Sequence, residues 1–170
     1  MSLRNITIAI ILMLSASPLC AQNQNDDDVA KSHAMNTEAL DCITKLLDSK
    51  IDSASFANAS AFIMTWGASS HDINVSIDET IGSFLESRGG SYYITGYIAA
   101  CAEQQLLNKT TGMDWPMFTK AMSRLVEFYK RNRQFTGDVR LLERYSLLNE
   151  NDLSDALRKD FKELIPYQAH

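Results

Sequence analysis

The chain has 170 residues, a formal net charge of −5 and an isoelectric point near 5.1. That length suits one domain around one hydrophobic core, and the acidic balance argues against a protein that grips a phosphate backbone, which needs a basic face. No apolar run is long enough to cross a bilayer as a helix.

At the amino terminus one positive charge, Arg4, precedes an apolar run from Ile6 to Leu14, followed by small and polar residues and then an acidic, amide-rich stretch. This is the layout of a secretory signal peptide. The expected cut follows Ala21, which removes residues 1–21 and, with Arg4, moves the formal charge from −5 to −6. The lesser alternative is a lipoprotein signal in which Cys20 carries lipid; Pro18 and Leu19 fit it badly, since such sites take small residues just before the cysteine. Residues 22–35 are polar with little to bury and read as a flexible leader, with the helical domain over 36–170. The expected location is periplasmic or secreted, with the processed chain soluble.

From Asn36 onward, Leu40, Ile43, Leu46 and Leu47 follow helical spacing. A second helix is predicted from Ser53 to Trp66, presenting Phe56, Ala59, Ile63 and Trp66 and stopping at Gly67. Residues 68–78 break the rhythm. In SSHDINVSI, residues 69–77, the side chains Ile73, Val75 and Ile77 alternate with polar ones at strand period, but no second segment alternates convincingly to pair with it. The stretch is therefore expected to be an extended connector pinning its three aliphatic side chains against the helices. Asp78 opens a third helix with Ile81, Phe84 and Leu85 inward. Gly89-Gly90 ends it by admitting left-handed backbone, and Ser91 caps the next.

The fourth predicted helix, Tyr92 to Asn108, is apolar or small around nearly its whole circumference as far as Ala102, which marks a central helix packed on several sides. Gly96, Ala99, Ala100 and Ala102 permit close approach, and Gln104, Gln105 and Asn108 suggest that the far end emerges into water. Asp114 and Pro116 open a fifth helix with a stripe of Phe118, Ala121, Met122, Leu125, Phe128 and Tyr129. Asp138 is expected to cap a sixth carrying Leu141, Leu142, Tyr145 and Leu148. A seventh, from about Asp152, buries Leu153, Leu157, Phe161 and Leu164 before Pro166 stops it. No repeat period recurs. The expected fold is all-α, a single irregular bundle of about seven helices with an extended connector at 68–78.

Little in the sequence points to catalysis. Ser69, Ser70, His71 and Asp72 supply the residue types of a hydrolytic triad, but neighbours along an extended chain point apart and there is no nucleophile elbow. The histidines His33, His71 and His170 form no helix-spaced pair and the cysteines no CxxC, so neither a metal site nor a cofactor is expected. Gly89-Gly90-Ser91 reads as a helix break rather than an anion cradle, lacking the flanking residues of a phosphate loop. Lys130, Arg131 and Arg133 form a basic run placed to complement a helix carboxyl end. Cys42 and Cys101 remain after processing, and in an exported protein they are candidates for a disulfide, or else two buried thiols. Tyr92, Tyr93 and Tyr97, joined by Trp115 if the fifth helix doubles back, are candidates for a ligand groove or partner face, against the plainer reading of core filling.

The segments WGASSHDINVSIDETIGSFL, YYITGYIAACAEQQLLNK and LVEFYK together resemble a group of small exported, all-helical proteins of Bacteroidota and similar bacteria. The likeness rests on Trp66, Asp72, Val75, Ile77, Tyr93 or Ile94, Gly96, Asn108, Lys109, Phe128, Tyr129 and Lys130, and covers roughly residues 56–160. Cys101 inside the central helix and the Gly-Gly break depart from it. The resemblance implies an all-helical envelope protein and carries over no catalytic residue. The function expected is thus non-enzymatic binding, most readily to another envelope protein, with no nucleic acid and no transmembrane segment. A small-ligand carrier with a Tyr/Trp-lined cleft, or a carboxylate enzyme hidden from sequence reading, are the alternatives.

Overall fold

In a computed structural model, residues 26–162 and Leu164 are described, with the backbone alone for 26–34. The segment 1–25, including Cys20, and residues 165–170, including Pro166 and His170, lie outside them. Among the described residues there are seven α-helices and no strand: α1 (Asp26–Asp48), α2 (Ala54–Ser69), α3 (Glu79–Gly82), α4 (Gly90–Asn108), α5 (Trp115–Thr136), α6 (Arg140–Ser146) and α7 (Glu150–Asp160). A 3-10 turn, Ser83–Glu86, continues α3. The fold is an all-α bundle, as the periodicities predict.

α1 is helical from the first described residue, Asp26, ahead of the expected Asn36, so residues 26–35 of the predicted leader are helical. A low apolar content does not forbid helix, since most residue types have adequate helix propensity. Further on, Ala39, Ile43, Leu46 and Leu47 are buried. The α1 carboxyl end is tied down from α5: Arg131 Nη1 donates to Leu47 C=O, and the fully buried Asn132 donates to Ser49 C=O at 3.2 Å and accepts from Ile51 N–H at 2.9 Å. The basic run thus supports a neighbouring helix end as well as its own, with Lys130 on Glu127 and Arg133 on Glu143.

Ser53 caps α2 through its hydroxyl, which accepts from Phe56 N–H at 3.1 Å. Gly67 does not stop this helix, which continues to Ser69. The connector after it is extended and unpaired as a strand, as expected. Ile73 and Val75 pack against the core, but Ile77 is 47% exposed. Asp78 caps α3 through Ile81 N–H. Ile81 and Phe84 are buried whereas Leu85 is 63% exposed, because the backbone tightens to three residues per turn at Ser83. In that geometry Phe84, three positions after Ile81, keeps the inward face and Leu85 swings out.

α4 is the central element, packed against α5, α1, α2 and the 3-10 turn. Its start is not capped by Ser91; Gly89 stands at the cap position with no side-chain bond, and its φ of −104° is not left-handed. The glycines are required for space instead. A Cβ on Gly90 would sit 1.8 Å from Phe84 O, and one on Gly89 would sit 2.2 Å from Thr136 Cβ. Gly96 does the same along the helix, bringing the Phe128 ring to 3.0 Å of where its Cβ would be. Phe128 in turn stacks on Phe56 at 5.8 Å and meets Tyr93 edge-on at 5.9 Å, pairs worth about 0.5–1.5 kcal/mol each beyond simple burial.

Asp114 caps α5 through Met117 N–H at 2.8 Å, and the whole predicted stripe from Phe118 to Tyr129 is buried. Asp138 does not cap α6: Val139 occupies that position without a side-chain bond. α6 is secured by Tyr129, whose hydroxyl donates to Glu143 at 2.7 Å. α7 starts at Glu150 behind an Asn149 cap and ends at Asp160, burying Leu153 and Leu157 with Phe161 just beyond.

Candidate functional site

The four aromatic candidates do not form one site. α4 and α5 run antiparallel, so Tyr93 near the start of α4 meets Phe128, Tyr129 and Thr136 toward the end of α5. Doubling back therefore carries Trp115, at the start of α5, to the opposite end of α4. At about 1.5 Å per residue it stands roughly 20 Å along the axis from the Phe128 level. There it packs edge-on against Phe118 at 5.9 Å, with the Arg158 guanidinium 5.1 Å from its ring centroid.

Tyr93 and Tyr97 are almost wholly buried, and their hydroxyls are used inside the fold. Tyr93 shares a 2.5 Å hydrogen bond with Thr136 Oγ1, while Tyr97 donates to Ser76 C=O at 2.9 Å and so fastens the connector. Burial pushes both phenols above their ordinary pKa, with Cys101 adding to the effect at Tyr97. Of the three tyrosines on α4 only Tyr92 faces outward, 41% exposed with its ring edge against Phe56.

Cys42 and Cys101 are both free thiols. Cys101 is buried on α4, and desolvation pushes its pKa up to about 12, far from thiolate chemistry at neutral pH. In the SSHD stretch, Asp72 accepts from Asn36 Nδ2 at 2.8 Å, and Ser70 Oγ accepts from Asp72 N–H at 3.2 Å. These are contacts that fix a connector, with no convergence of nucleophile and base. Among the described residues no group of three His, Cys, Asp or Glu side chains could hold a metal ion. The Gly89-Gly90 backbone is packed against Thr136 and Phe84 on the side where a Cβ would stand.

A groove of about 420 Å³ lies between the 3-10 turn and α6. Ser83, Glu86 and Ser87 line one wall and Arg140, Leu141 and Arg144 the other. The one-turn spacing of Arg140 and Arg144 puts both on one face of α6. Arg144 also reaches Asp160 at the end of α7 and lies over the Tyr145 ring at 5.0 Å, so it is held in place. Little in the sequence signals this groove: helical spacing turns Leu85 inward, and the two arginines form no cluster along the chain.

No protein-family model matches this sequence, and neither a curated protein nor a solved structure matches it. Among the described residues no helix is long and apolar enough to cross a membrane.

Proposed function

We propose that this chain is an exported helical interaction protein of the cell envelope, which works by binding another envelope protein at the surface where the 3-10 turn, the start of α4 and α6 meet. The observation that supports this is the groove between the 3-10 turn and α6, with Leu85, 63% exposed, on the same short turn. Tyr92 is exposed too, on the first turn of α4, the helix that packs against the 3-10 turn. A leucine exposed alone is ordinary. An exposed leucine on the turn that walls an arginine-lined groove, with an exposed tyrosine on the helix packed against that turn, has the make-up of a small contact patch, in which aromatic and arginine side chains carry most of the binding energy. The carrier reading finds less support, because Tyr93 and Tyr97 point their hydroxyls into the fold and Trp115 stands apart from them. Export rests on the amino-terminal pattern and on the resemblance to small exported proteins of Bacteroidota.

Affinity capture from a native envelope extract tests the reading. A single near-stoichiometric protein, retained by the unaltered chain and released by Leu85→Glu or Tyr92→Glu, supports it. An empty eluate at low and moderate salt, or a partner indifferent to both substitutions, overturns it. Recovery of the chain from the periplasmic fraction with Gln22 as its first residue tests the location.

A further inference from the structure

The groove beside α6 has a chemistry of its own. Arg140 is exposed and makes no ion pair among the described residues. Its neighbour one turn on, Arg144, is oriented by Asp160 and Tyr145 rather than waving free. Opposite them Ser83 and Ser87 bring hydroxyls, and Leu141 floors part of the recess with apolar surface. Building on the interaction reading of this surface, we propose that the groove receives an acidic peptide segment of the partner protein, with one carboxylate paired to Arg140 and the chain laid along Leu141 and Leu85.

Three features select that occupant. A guanidinium presents a planar fork of donors that matches a carboxylate in two-point geometry, and Arg140 has no internal partner to give up. Glu86 stands in the same groove, which disfavours a uniformly anionic surface and suits a polypeptide that can set an amide or a cation against it. The chain as a whole carries −5, which disfavours close approach to an anionic lipid surface, while a single carboxylate delivered into the groove meets Arg140, whose charge is not taken up by an ion pair among the described residues as that of Arg144 is by Asp160. The groove volume of about 420 Å³ falls within the range of recesses that take small ligands or a few side chains.

The test is an NMR titration of the purified, isotope-labelled protein with an acetylated and amidated peptide of sequence Gly-Leu-Glu-Glu-Leu-Gly, its glutamine counterpart, and vesicles containing phosphatidylglycerol. Saturable shifts confined to the backbone amides of 83–87 and 139–144 are expected. The apparent Kd should weaken about tenfold or more with Arg140→Glu or with the glutamine peptide, and should also weaken as salt is raised. Shifts that fail to saturate, fall elsewhere, or are the same for the glutamine peptide or for Arg140→Glu overturn the proposal, as does a response to vesicles alone. Failure here is distinguishable from failure of the wider reading. An envelope partner released by Leu85→Glu but held equally by Arg140→Glu leaves the interaction protein standing and removes the acidic segment. The expected peptide behaviour with an empty envelope eluate upholds the carboxylate site and removes the envelope partner.

Discussion

The side-chain amide of Gln105 pairs with the backbone of Asn74 in both directions: Asn74 N–H donates to Gln105 Oε1 at 2.9 Å, and Gln105 Nε2 donates to Asn74 C=O at 2.8 Å. A second bond from Nε2 reaches Thr111 C=O at 2.8 Å. The connector thus finds in one glutamine the partner that a neighbouring strand would otherwise supply, and Tyr97 adds a bond to Ser76 C=O a short way along. Gln105 itself is fully buried.

Gln105→Ala removes all three bonds and is expected to destabilise the protein by about 2–3 kcal/mol, because backbone groups beside the core lose their partner. Gln105→Glu should be at least as costly, since a carboxylate cannot donate to the two carbonyls and would be buried unpaired. Urea denaturation measures the loss, and hydrogen exchange locates it. The Asn74 amide should lose protection selectively in Gln105→Ala, and unchanged protection there would show that the connector is held by other means.

Gly90 is predicted to be intolerant for a reason of space. A Cβ would lie 1.8 Å from Phe84 O and 2.8 Å from Leu85 Cα, backbone atoms that cannot move without displacing the 3-10 turn. Gly90→Ala should therefore cost about 3 kcal/mol. Gly82 is the control, since a Cβ there meets nothing within 4 Å. Gly82→Ala, inside α3, should stabilise by about 0.4–1 kcal/mol through lower chain entropy in the unfolded state. Thermal unfolding of the pair reads both signs, and equal midpoints would refute the steric account.

The periodic parts of the chain are legible because burial of a helix face writes itself into spacing. The α5 stripe from Phe118 to Tyr129 and the α2 face from Phe56 to Trp66 are buried as their spacing predicts. Sequence and structure part where a residue answers to a distant segment. Gln105 has the look of the wet end of a helix, since an amide after an apolar run usually is, and only the returning connector shows what it serves. Gly89 and Gly90 look like a request for left-handed backbone, while the need is close approach to Thr136 and Phe84. Trp115 belongs beside the tyrosines only if doubling back brings the two helix starts together. Doubling back after a short loop instead joins the end of one helix to the start of the next. The groove is invisible in the sequence for a related cause: its two walls are more than fifty positions apart along the chain, and the swing of Leu85 depends on a local change of helix type.

Glu143 should make the attachment of α6 sensitive to acid. The hydrogen bond from Tyr129, and then the contact with Arg133, hold its carboxyl below the usual range. A folded-state pKa lower than the unfolded one gives stability that is fully present above the unfolded value, about 4.3 for a glutamate. It is lost as pH falls through the folded value. Unfolding free energy followed from pH 7 downward for the unaltered protein and Glu143→Gln should show a gap at neutral pH that narrows in this acidic window. A gap independent of pH would mean that Glu143 contributes by packing alone.

The cysteines offer a test of side-chain placement that needs no partner. Cys101 is 1% exposed with its thiol pKa pushed up to about 12, while Cys42 on α1 is only half-buried and its pKa is raised, first by burial and then by Asp41. Thiolate is the reacting species, so both thiols should be slow toward a maleimide at neutral pH, with Cys42 the faster. Peptide mapping after timed labelling should show Cys42 modified in the native protein. Cys101 should be modified only at the rate of opening, rising to match once denaturant is added. Two cysteines unreactive even in denaturant without reductant, and reactive after reduction, would instead establish a bridge between them and overturn their assignment as free thiols.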